Sequence, residues 1–465
     1  LQLPESFLNA ILNTQGFNRI TFEAVHQEPK PITSVRINPS KFKIENIDER
    51  QQQTNSSSLS SLTFSSKITW CPYGYYLTER PSFTLDPLLH AGAYYVQEAS
   101  SMFLWKVLEQ TIGIDTTNKN VLDLCAAPGG KSTLLATYFK DGLVVSNEVI
   151  KSRASILTEN SIKWGSGNMV VTNNDPADFK SLKSFFDVIV IDAPCSGSGL
   201  FRKDETAVHE WSEQAVQLCS ARQQRIVADV FDSLKEDGIL IYSTCSYSTE
   251  ENESVADWMI DTFQVTSCKL QINDDWKIVE SISSKHQSYG YRFWPDKTKG
   301  EGFFITAFKK QSTNQYVHWP SKSLAKASKQ ELSILNNFIP LDSMNEIFKQ
   351  GEVFRIIPKI FKEHIEVLAN HLYIKKAGIA LGTIKGTDVI PSHELALSNF
   401  SKINFQLIEV TKDIALEYLR KQEIKLTASK GWALITYCGL SLGWVKVLPN
   451  RINNYYPSEW RILKQ

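Results

Sequence analysis

Cys195 lies in VIVIDAPCSGSG and Cys245 in ILIYSTCSYSTEEN, each just past an apolar run with the length of a buried strand. A thiolate is a nucleophile, and two thiols at neighbouring strand ends suit covalent chemistry on an electron-poor ring. Carbon 5 of a pyrimidine is a poor nucleophile. Thiolate addition to carbon 6 makes carbon 5 enamine-like, able to attack a sulfonium methyl, and divides one hard step into easier ones. A second base must then remove the carbon-5 proton before the thiolate can leave. A carboxylic acid near ring N3 favours the addition by donating a proton. Cys195, Cys245 and Asp192 supply groups for these three roles. A free thiol has a pKa of about 8.5, so a local donor, Lys131 or Lys203, is expected to favour the thiolate. The chemistry of the residues leaves open which sulfur attacks.

Buried cysteines are commonly inert packing residues, and Cys125, Cys219, Cys268 and Cys438 read that way as thiols. The Gly- and Ser-rich surroundings of Cys195 and Cys245 set those two apart. A disulfide between them is the alternative. The seven cysteines are odd in number and scattered, with no CxxC pair and no His/Cys cluster at zinc spacing. That profile predicts reduced thiols, a cytoplasmic setting and no metal.

Upstream, VLDLCAAPGGKS reads as a strand, a glycine turn and a helix. Gly129 and Gly130 let backbone approach a ligand, and the helix offers free amides to a carboxylate or phosphate. The spacing is neither a Walker loop nor GxGxxG. Glu148, about 20 residues after the turn, is placed to accept both hydrogen bonds of a ribose diol. Asp175 follows the third strand and could hold an adenine amine, and Asp192 ends the fourth. Three acids at successive strand ends suit a cationic nucleoside, S-adenosylmethionine, better than a dinucleotide. For each acid alone, a capped turn or solvated loop is the plain alternative.

The elements that must position these residues form a βαβ series. Strands are predicted at 121–125, 143–147, 169–172, 186–192 and 238–244, and helices at 131–139, 150–163 and 206–236. The sheet is expected to be mainly parallel, with the site at the strand C-termini. Residues 303–308 read as a late edge strand closing it. Ahead of this core come a helix from Pro4 to Leu12, a strand in SVRINPSKF, a polar loop over 46–66, short strands from Ile68 to Leu85 and a helix from His90 to Gln110. Residues 312–325 read as a linker, 326–405 as a small α+β unit and 406–465 as a mostly β unit after a helix at Ile414 to Arg420.

Over 465 residues, 42% hydrophobic and 22% charged content fits a soluble globular protein of several domains. No apolar run approaches the roughly 20 residues needed to span a bilayer. The first residues, LQLPESFLNAILNTQ, lack the basic start of a signal peptide. Net charge is zero, but residues 319–465 hold 20 Lys+Arg against 13 Asp+Glu, a balance of +7. A basic tail on an acidic body suggests a polyanion partner, although such an excess is also ordinary surface variation. In NRINNYY, Arg451, Asn453, Asn454, Tyr455 and Tyr456 mix a cation, amides and rings, as RNA surfaces do, unless the tyrosines pack a small core. Arg36 is a second candidate for the RNA backbone.

DLCAAPGGK, DAPCSGSG and YSTCSYSTEENE, in that order, resemble the Sun-type RNA cytosine-5 methyltransferases. TSVRINPSK resembles that family's N-terminal RNA-binding segment, AYYVQEASSM its helix before the cofactor domain, and YRFWPDKTKGEGFFITAFKK its closing motif. GWALITYCGLSLGWVKVLPNRINNYYPSEWRI resembles the PUA-like module of the bacterial small-subunit (16S) rRNA branch. The resemblance implies a Rossmann-like α/β methyltransferase core over 89–311, a small α+β RNA-binding domain over 1–88 and a PUA-like RNA-binding domain over 406–465. It implies S-adenosylmethionine as cofactor, held by Cys125, Ala126, Ala127, Pro128, Gly129, Gly130, Lys131, Glu148, Asp175 and Asp192. It selects Cys245 as nucleophile, Cys195 as the thiol that assists product release, and Asp192 as the acid between base and cofactor. The implied partner is RNA, 16S rRNA or the small ribosomal subunit. A tRNA substrate and a non-catalytic ribosome-assembly factor are the competing readings.

Overall fold

The computed structural model describes residues 2–27, 32–42, 62–311, 317–400 and 405–464. Most of the polar loop predicted over 46–66, namely 46–61, and residues 312–316 of the predicted linker lie outside them.

Near the N-terminus β1 (Ser34–Ile37), β2 (Phe64–Lys67), β3 (Gly74–Leu77) and β4 (Tyr94–Val96) form an antiparallel sheet in the order β2-β3-β1-β4. Strand β4 falls inside the helix predicted over His90–Gln110, which is in fact a helical turn at Pro87–His90, the strand, and a helix at Leu104–Thr111. Three residues of YYV are too few to break a helical pattern on paper. Pairing with β1 decides their conformation.

The central sheet has ten strands. Five are parallel: β5 (Asn120–Asp123), β6 (Leu143–Asn147), β7 (Met169–Thr172), β8 (Phe186–Asp192) and β9 (Leu234–Thr244), ordered β9-β8-β5-β6-β7. Alternate residues of β8 serve opposite faces: Val188 and Val190 join one core, Ile189 and Ile191 the other. All four are fully buried, and each such side chain contributes about 1.5–3 kcal/mol of burial. The chain runs β5-β6-β7 and then returns to β8, so the topology reverses between β5 and β8. Ligands of such sheets bind beyond the strand C-termini at that reversal.

The rest of the sheet is antiparallel. Strands β10 (Val265–Ser267), β11 (Val279–Ile282), β12 (Tyr289–Phe293) and β13 (Phe303–Lys310) lie beyond β9. The expected closing edge strand is therefore interior: β13 pairs with both β9 and β12. The expected mainly parallel sheet describes only the five-strand block. Nor is 206–236 one helix. Asp204 and Ser212 each cap a new helix, Glu205–Glu210 and Glu213–Val230, and β9 begins at Leu234.

After β13 come β14 (Ala325–Lys326), β15 (Asn345–Gln350), β16 (Val353–Pro358), β17 (Ile374–Ala377), β18 (Ile379–Lys385) and β19 (Asp388–Pro391). Five of these build a second antiparallel sheet, but β17 adds to the central one beside β7. The chain ends with β20 (Gln406–Glu409), β21 (Gly431–Tyr437), β22 (Leu440–Leu448) and β23 (Arg451–Asn454) as a four-stranded sheet. Tyr437, Cys438 and Leu440 of this last unit pack on the core of the N-terminal sheet. No helix among the described residues is long and apolar enough to cross a membrane.

Candidate active site

The glycine turn follows β5. Gly129 stands at φ +115°, a left-handed conformation that glycine adopts without strain, and it opens the helix Gly130–Tyr138 with no side-chain cap. The helix Lys151–Trp164 holds the turn in shape: Arg153 donates to the Ala127 carbonyl at 2.9 Å and Asn160 to the Pro128 carbonyl at 2.8 Å. The Ala126 amide donates to the Asn147 carbonyl at 2.8 Å. The free first-turn amides therefore face the crevice at the topological reversal.

Asp123, at the end of β5, is wholly buried. Its Oδ2 accepts from Ser132 Oγ at 2.6 Å, while Oδ1 is buried without a hydrogen-bond partner among the described residues. Burial pushes its pKa up to about 7. Asp123 is not among the residues expected from the motifs, although DLCAAP displays it.

Glu148, after β6, is buried and accepts from the Ile150 amide at 2.9 Å, with Arg153 at 3.5 Å from its other oxygen. Asp175 is exposed, and its Oδ1 caps the short turn Pro176–Ser181 through the Ala177 amide at 3.0 Å. That is the turn-capping alternative to a ligand role. Asp192 ends β8. Its Oδ2 lies 2.7 Å from Lys131 Nζ and its Oδ1 accepts from Ser243 Oγ at 2.8 Å. Ser243 is also its β-register partner on β9, two residues before Cys245.

The loops after β8 and β9 bring Cys195 and Cys245 together, with the two sulfurs 2.9 Å apart. Both thiols are free, so the predicted alternative of a disulfide is not what the structure holds. The Cys195 thiol is held well above the usual range, first by its hydrogen bond with Cys245 and then by burial.

Beneath the pair lies Glu251, fully buried, whose carboxylate takes donors from both cysteine loops. Asn252 donates to the Ser246 carbonyl at 2.8 Å and accepts from Thr244 Oγ1 at 2.6 Å. Arg292 forks onto Glu253 and donates to the Tyr247 carbonyl at 2.9 Å. These supports were missed from the sequence. The signal was an acidic, amide-bearing run, EENE, directly after a buried strand.

Several expected contacts fall elsewhere. Lys203 pairs with Glu301 at 3.7 Å and does not serve the thiols. Arg36, expected on RNA, is fully buried. It donates to Gln97 Oε1 at 2.8 Å, Thr133 Oγ1 at 2.6 Å and the Gly130 carbonyl at 3.1 Å, and lies over the Trp164 ring. A guanidinium so enclosed locks the N-terminal sheet onto the helix of the glycine turn. Its neighbour Lys41 donates to the carbonyls of Ala91 and Lys163. TSVRINPSK is thus a joint between units. In NRINNYY, Tyr456 is buried in the last core and Asn454 donates to the Tyr418 carbonyl, whereas Arg451 is exposed.

The family model described as "16S rRNA methyltransferase RsmB/F" matches residues 113–309. An "N-terminal domain of 16S rRNA methyltransferase RsmF" matches 3–99 and a "Methyltransferase RsmF PUA domain" matches 405–462. Ribosomal RNA small subunit methyltransferase F of Psychromonas ingrahamii is 30% identical over 483 residues, covering 98% of this chain and 97% of the relative. The chain belongs to the RsmB/F family of 16S rRNA methyltransferases. Ribosomal RNA small subunit methyltransferase F of Aliivibrio fischeri (strain MJ11) is 29% identical over 98% of this chain and 97% of its own. Among solved structures, a methyltransferase homolog from Pyrococcus horikoshii aligns at TM-score 0.52 and 27% identity, over 66% of this chain and all of that one. NSun6 from the same organism aligns at TM-score 0.54 and 18% identity, over 67% and 99%, a likeness of fold.

RsmB/F membership makes the protein an S-adenosylmethionine-dependent rRNA (cytosine-5)-methyltransferase with a Rossmann-like core. The crevice fits that cofactor: uncapped helix amides suit its carboxylate, the orphaned Asp123 oxygen its ammonium and the Glu148 carboxylate a ribose diol.

Proposed function

We propose that the protein methylates carbon 5 of a cytosine in 16S rRNA with Cys245 as nucleophile, Cys195 as the base that frees the product and Asp192 as the acid beside them. The observation that carries this reading is the 2.9 Å contact between the two sulfurs, next to the Asp192–Lys131 pair. S-adenosylmethionine, when bound, supplies an electrophilic methyl group on a sulfonium. The residues that would hold it are Cys125 to Lys131, Glu148, Asp175 and Asp192, joined by Asp123.

A cytosine must first leave its stack to reach the sulfurs. Cys245 Sγ then bonds to carbon 6, and the ring's π electrons move toward carbon 5 and N3. Asp192 relays to the ring, where that density collects, a proton from the Lys131 ammonium that it pairs with at 2.7 Å. Carbon 5 becomes nucleophilic and would take the methyl group from the sulfonium, whose S–CH3 electron pair would stay on that sulfur as a neutral thioether.

The bond from Cys245 to carbon 6 also changes Cys195. A thioether sulfur is uncharged, so the Cys245 contribution to holding up the Cys195 thiol falls, while that of burial stays. Cys195 gives its proton to solvent and becomes a base. It takes the carbon-5 proton, the C5–H electron pair forms the C5–C6 double bond, and the C6–S bond breaks with its electrons on Cys245. One sulfur pair thus serves both steps, because the first step switches on the group needed for the second.

The test uses RNA carrying 5-fluorocytosine, in which the carbon-5 substituent cannot leave as a proton. The unmodified protein and a Cys195→Ala variant are expected to trap the RNA covalently, and Cys245→Ala to trap none. Trapping by Cys245→Ala and not by Cys195→Ala would reverse the two roles.

A further inference from the structure

We propose that Glu251 is a positioning residue that sets the sulfur–sulfur contact and thereby governs product release. The inference rests on the roles proposed for Cys195 and Cys245. It adds a residue that touches neither substrate nor cofactor.

Glu251 Oε1 accepts from the Ser196 amide and from Gln223 Nε2, both at 2.9 Å. Oε2 accepts from the hydroxyls of Ser196 and Ser246. Ser196 follows Cys195 and Ser246 follows Cys245, so one carboxylate spans the residues next to both sulfurs. Gln223, from the helix Glu213–Val230, also donates to the Pro194 carbonyl at 3.1 Å and so grips the other side of Cys195. The two serine hydroxyls lie 3.3 Å apart. Among the described residues no cation pairs with Glu251; its four donors are neutral. An ionised carboxylate without a cation is costly to bury, and only a full set of donors offsets that cost. Here every donor comes from, or grips, one of the two cysteine loops. The strands β8 and β9 set the spacing of the loop roots, but the loops are irregular beyond Asp192 and Thr244. Glu251 ties their tips together beside two direct links, the Gly199 amide to the Cys245 carbonyl at 2.7 Å and the Tyr247 amide to Ser198 Oγ at 2.9 Å, and its carboxylate bridges the residues that follow the two sulfurs.

The contact matters most at release. Attack by Cys245 needs only that sulfur and a flipped base. Release needs Cys195 placed to take the carbon-5 proton while Cys245 is still bonded to carbon 6. A loosened pair should therefore transfer methyl and then stall as a methylated covalent adduct. Misplacement by about 1 Å can cost on the order of 100-fold in the affected step.

The experiment mixes full-length protein, S-adenosylmethionine and unmodified 16S rRNA. First-turnover methyl transfer and denaturation-resistant protein–RNA adduct are followed together. Glu251→Ala is expected to keep first-turnover transfer within a few-fold of the parent while its adduct rises by about tenfold or more. Glu251→Gln keeps the shape and can still bridge the two serines, so its adduct should lie well below that of Glu251→Ala. The double variant Ser196→Ala/Ser246→Ala keeps the carboxylate and cuts its hydroxyl links, and it carries the test if Glu251→Ala does not fold. It too should accumulate adduct. If both variants lose transfer and release in parallel, or neither accumulates adduct, the positioning role is overturned. An adduct that persists in a Glu251→Ala/Cys245→Ala double variant would instead overturn the assignment of the nucleophile.

Discussion

Asp123 shows how a single residue couples burial to ligand choice. It is a carboxyl with a pKa of about 7 because burial disfavours its charge, and one of its oxygens has no hydrogen-bond partner among the described residues. A cationic amine pairs only with the ionised form. Below about 7 the ionised fraction falls roughly tenfold per pH unit, so affinity for a ligand bearing an ammonium should fall likewise as pH drops from 7 to 5, and level off above 7.5. Calorimetric titration with S-adenosylhomocysteine, which keeps the ammonium, reads this directly. Asp123→Asn should bind more weakly and lose the pH dependence. At this scale the sequence was legible where a residue type is rare for its setting, as with two thiols amid Gly and Ser. It was not legible where the partner lies far along the chain. Arg36 is exposed or buried according to whether Gln97 and Thr133 come to meet it, and nothing in TSVRINPSK tells which.

Among the elements, the two N-terminal helices Glu5–Ala10 and Arg19–Gln27 act as a buttress for the cysteine loops. Phe7 is wholly buried, with ring centroids 5.0 Å from Phe201, 5.2 Å from Trp211 and 6.3 Å from Tyr247. Tyr247 stacks on Trp294 at 4.9 Å, just behind Cys245. Phe7→Ala should cost about 3–5 kcal/mol by the cavity it leaves. Thermal unfolding should register that loss, while Tyr247 keeps its stack on Trp294 and its contact with Phe22 at 5.2 Å. The five parallel strands could be read from their apolar runs. The interior place of β13 could not, because it is fixed by pairing with β9 and β12 across the sheet, and local pattern does not encode neighbours. The split of 206–236 was legible in principle: Asp204 and Ser212 are capping residues, each followed by Glu.

Over the whole molecule, three histidines, His26 and His90 buried and His393 half-buried, lie at joints. His26 packs on Phe22 in the N-terminal buttress. His90 faces Tyr456 at 3.5 Å, and His393 meets the rings of Tyr456 and Trp460, both at 5.2 Å, where the N-terminal, middle and last units converge. Burial holds all three below the usual histidine value, His26 and His90 at about 4 and His393 at about 3. The unfolded chain binds protons at these positions from about pH 6.5 downward, while the folded chain does not until pH 4 or 3. Stability is therefore full above 6.5 and is lost as pH falls through that window, by roughly 2–3 kcal/mol per histidine near pH 4. Melting temperature measured from pH 7 to 5 should fall, and His393→Gln should make the fall shallower. Composition and motif divide the chain into an N-terminal unit, a cofactor core, a small α+β unit and a β-rich end. The mutual burial of those units, with β17 reaching into the central sheet and Tyr437 into the N-terminal core, depends on contacts hundreds of residues apart.

The claim beneath all of this is that sulfur 245, and not sulfur 195, bonds to the cytosine ring. The most direct measurement is peptide mapping by mass spectrometry of the adduct trapped on 5-fluorocytosine RNA by the unaltered protein. The nucleotide mass should sit on Cys245, in the peptide carrying YSTCSYS, with Cys195 unmodified. Finding it on Cys195, or finding no covalent adduct while methyl transfer to cytosine proceeds, would contradict the account.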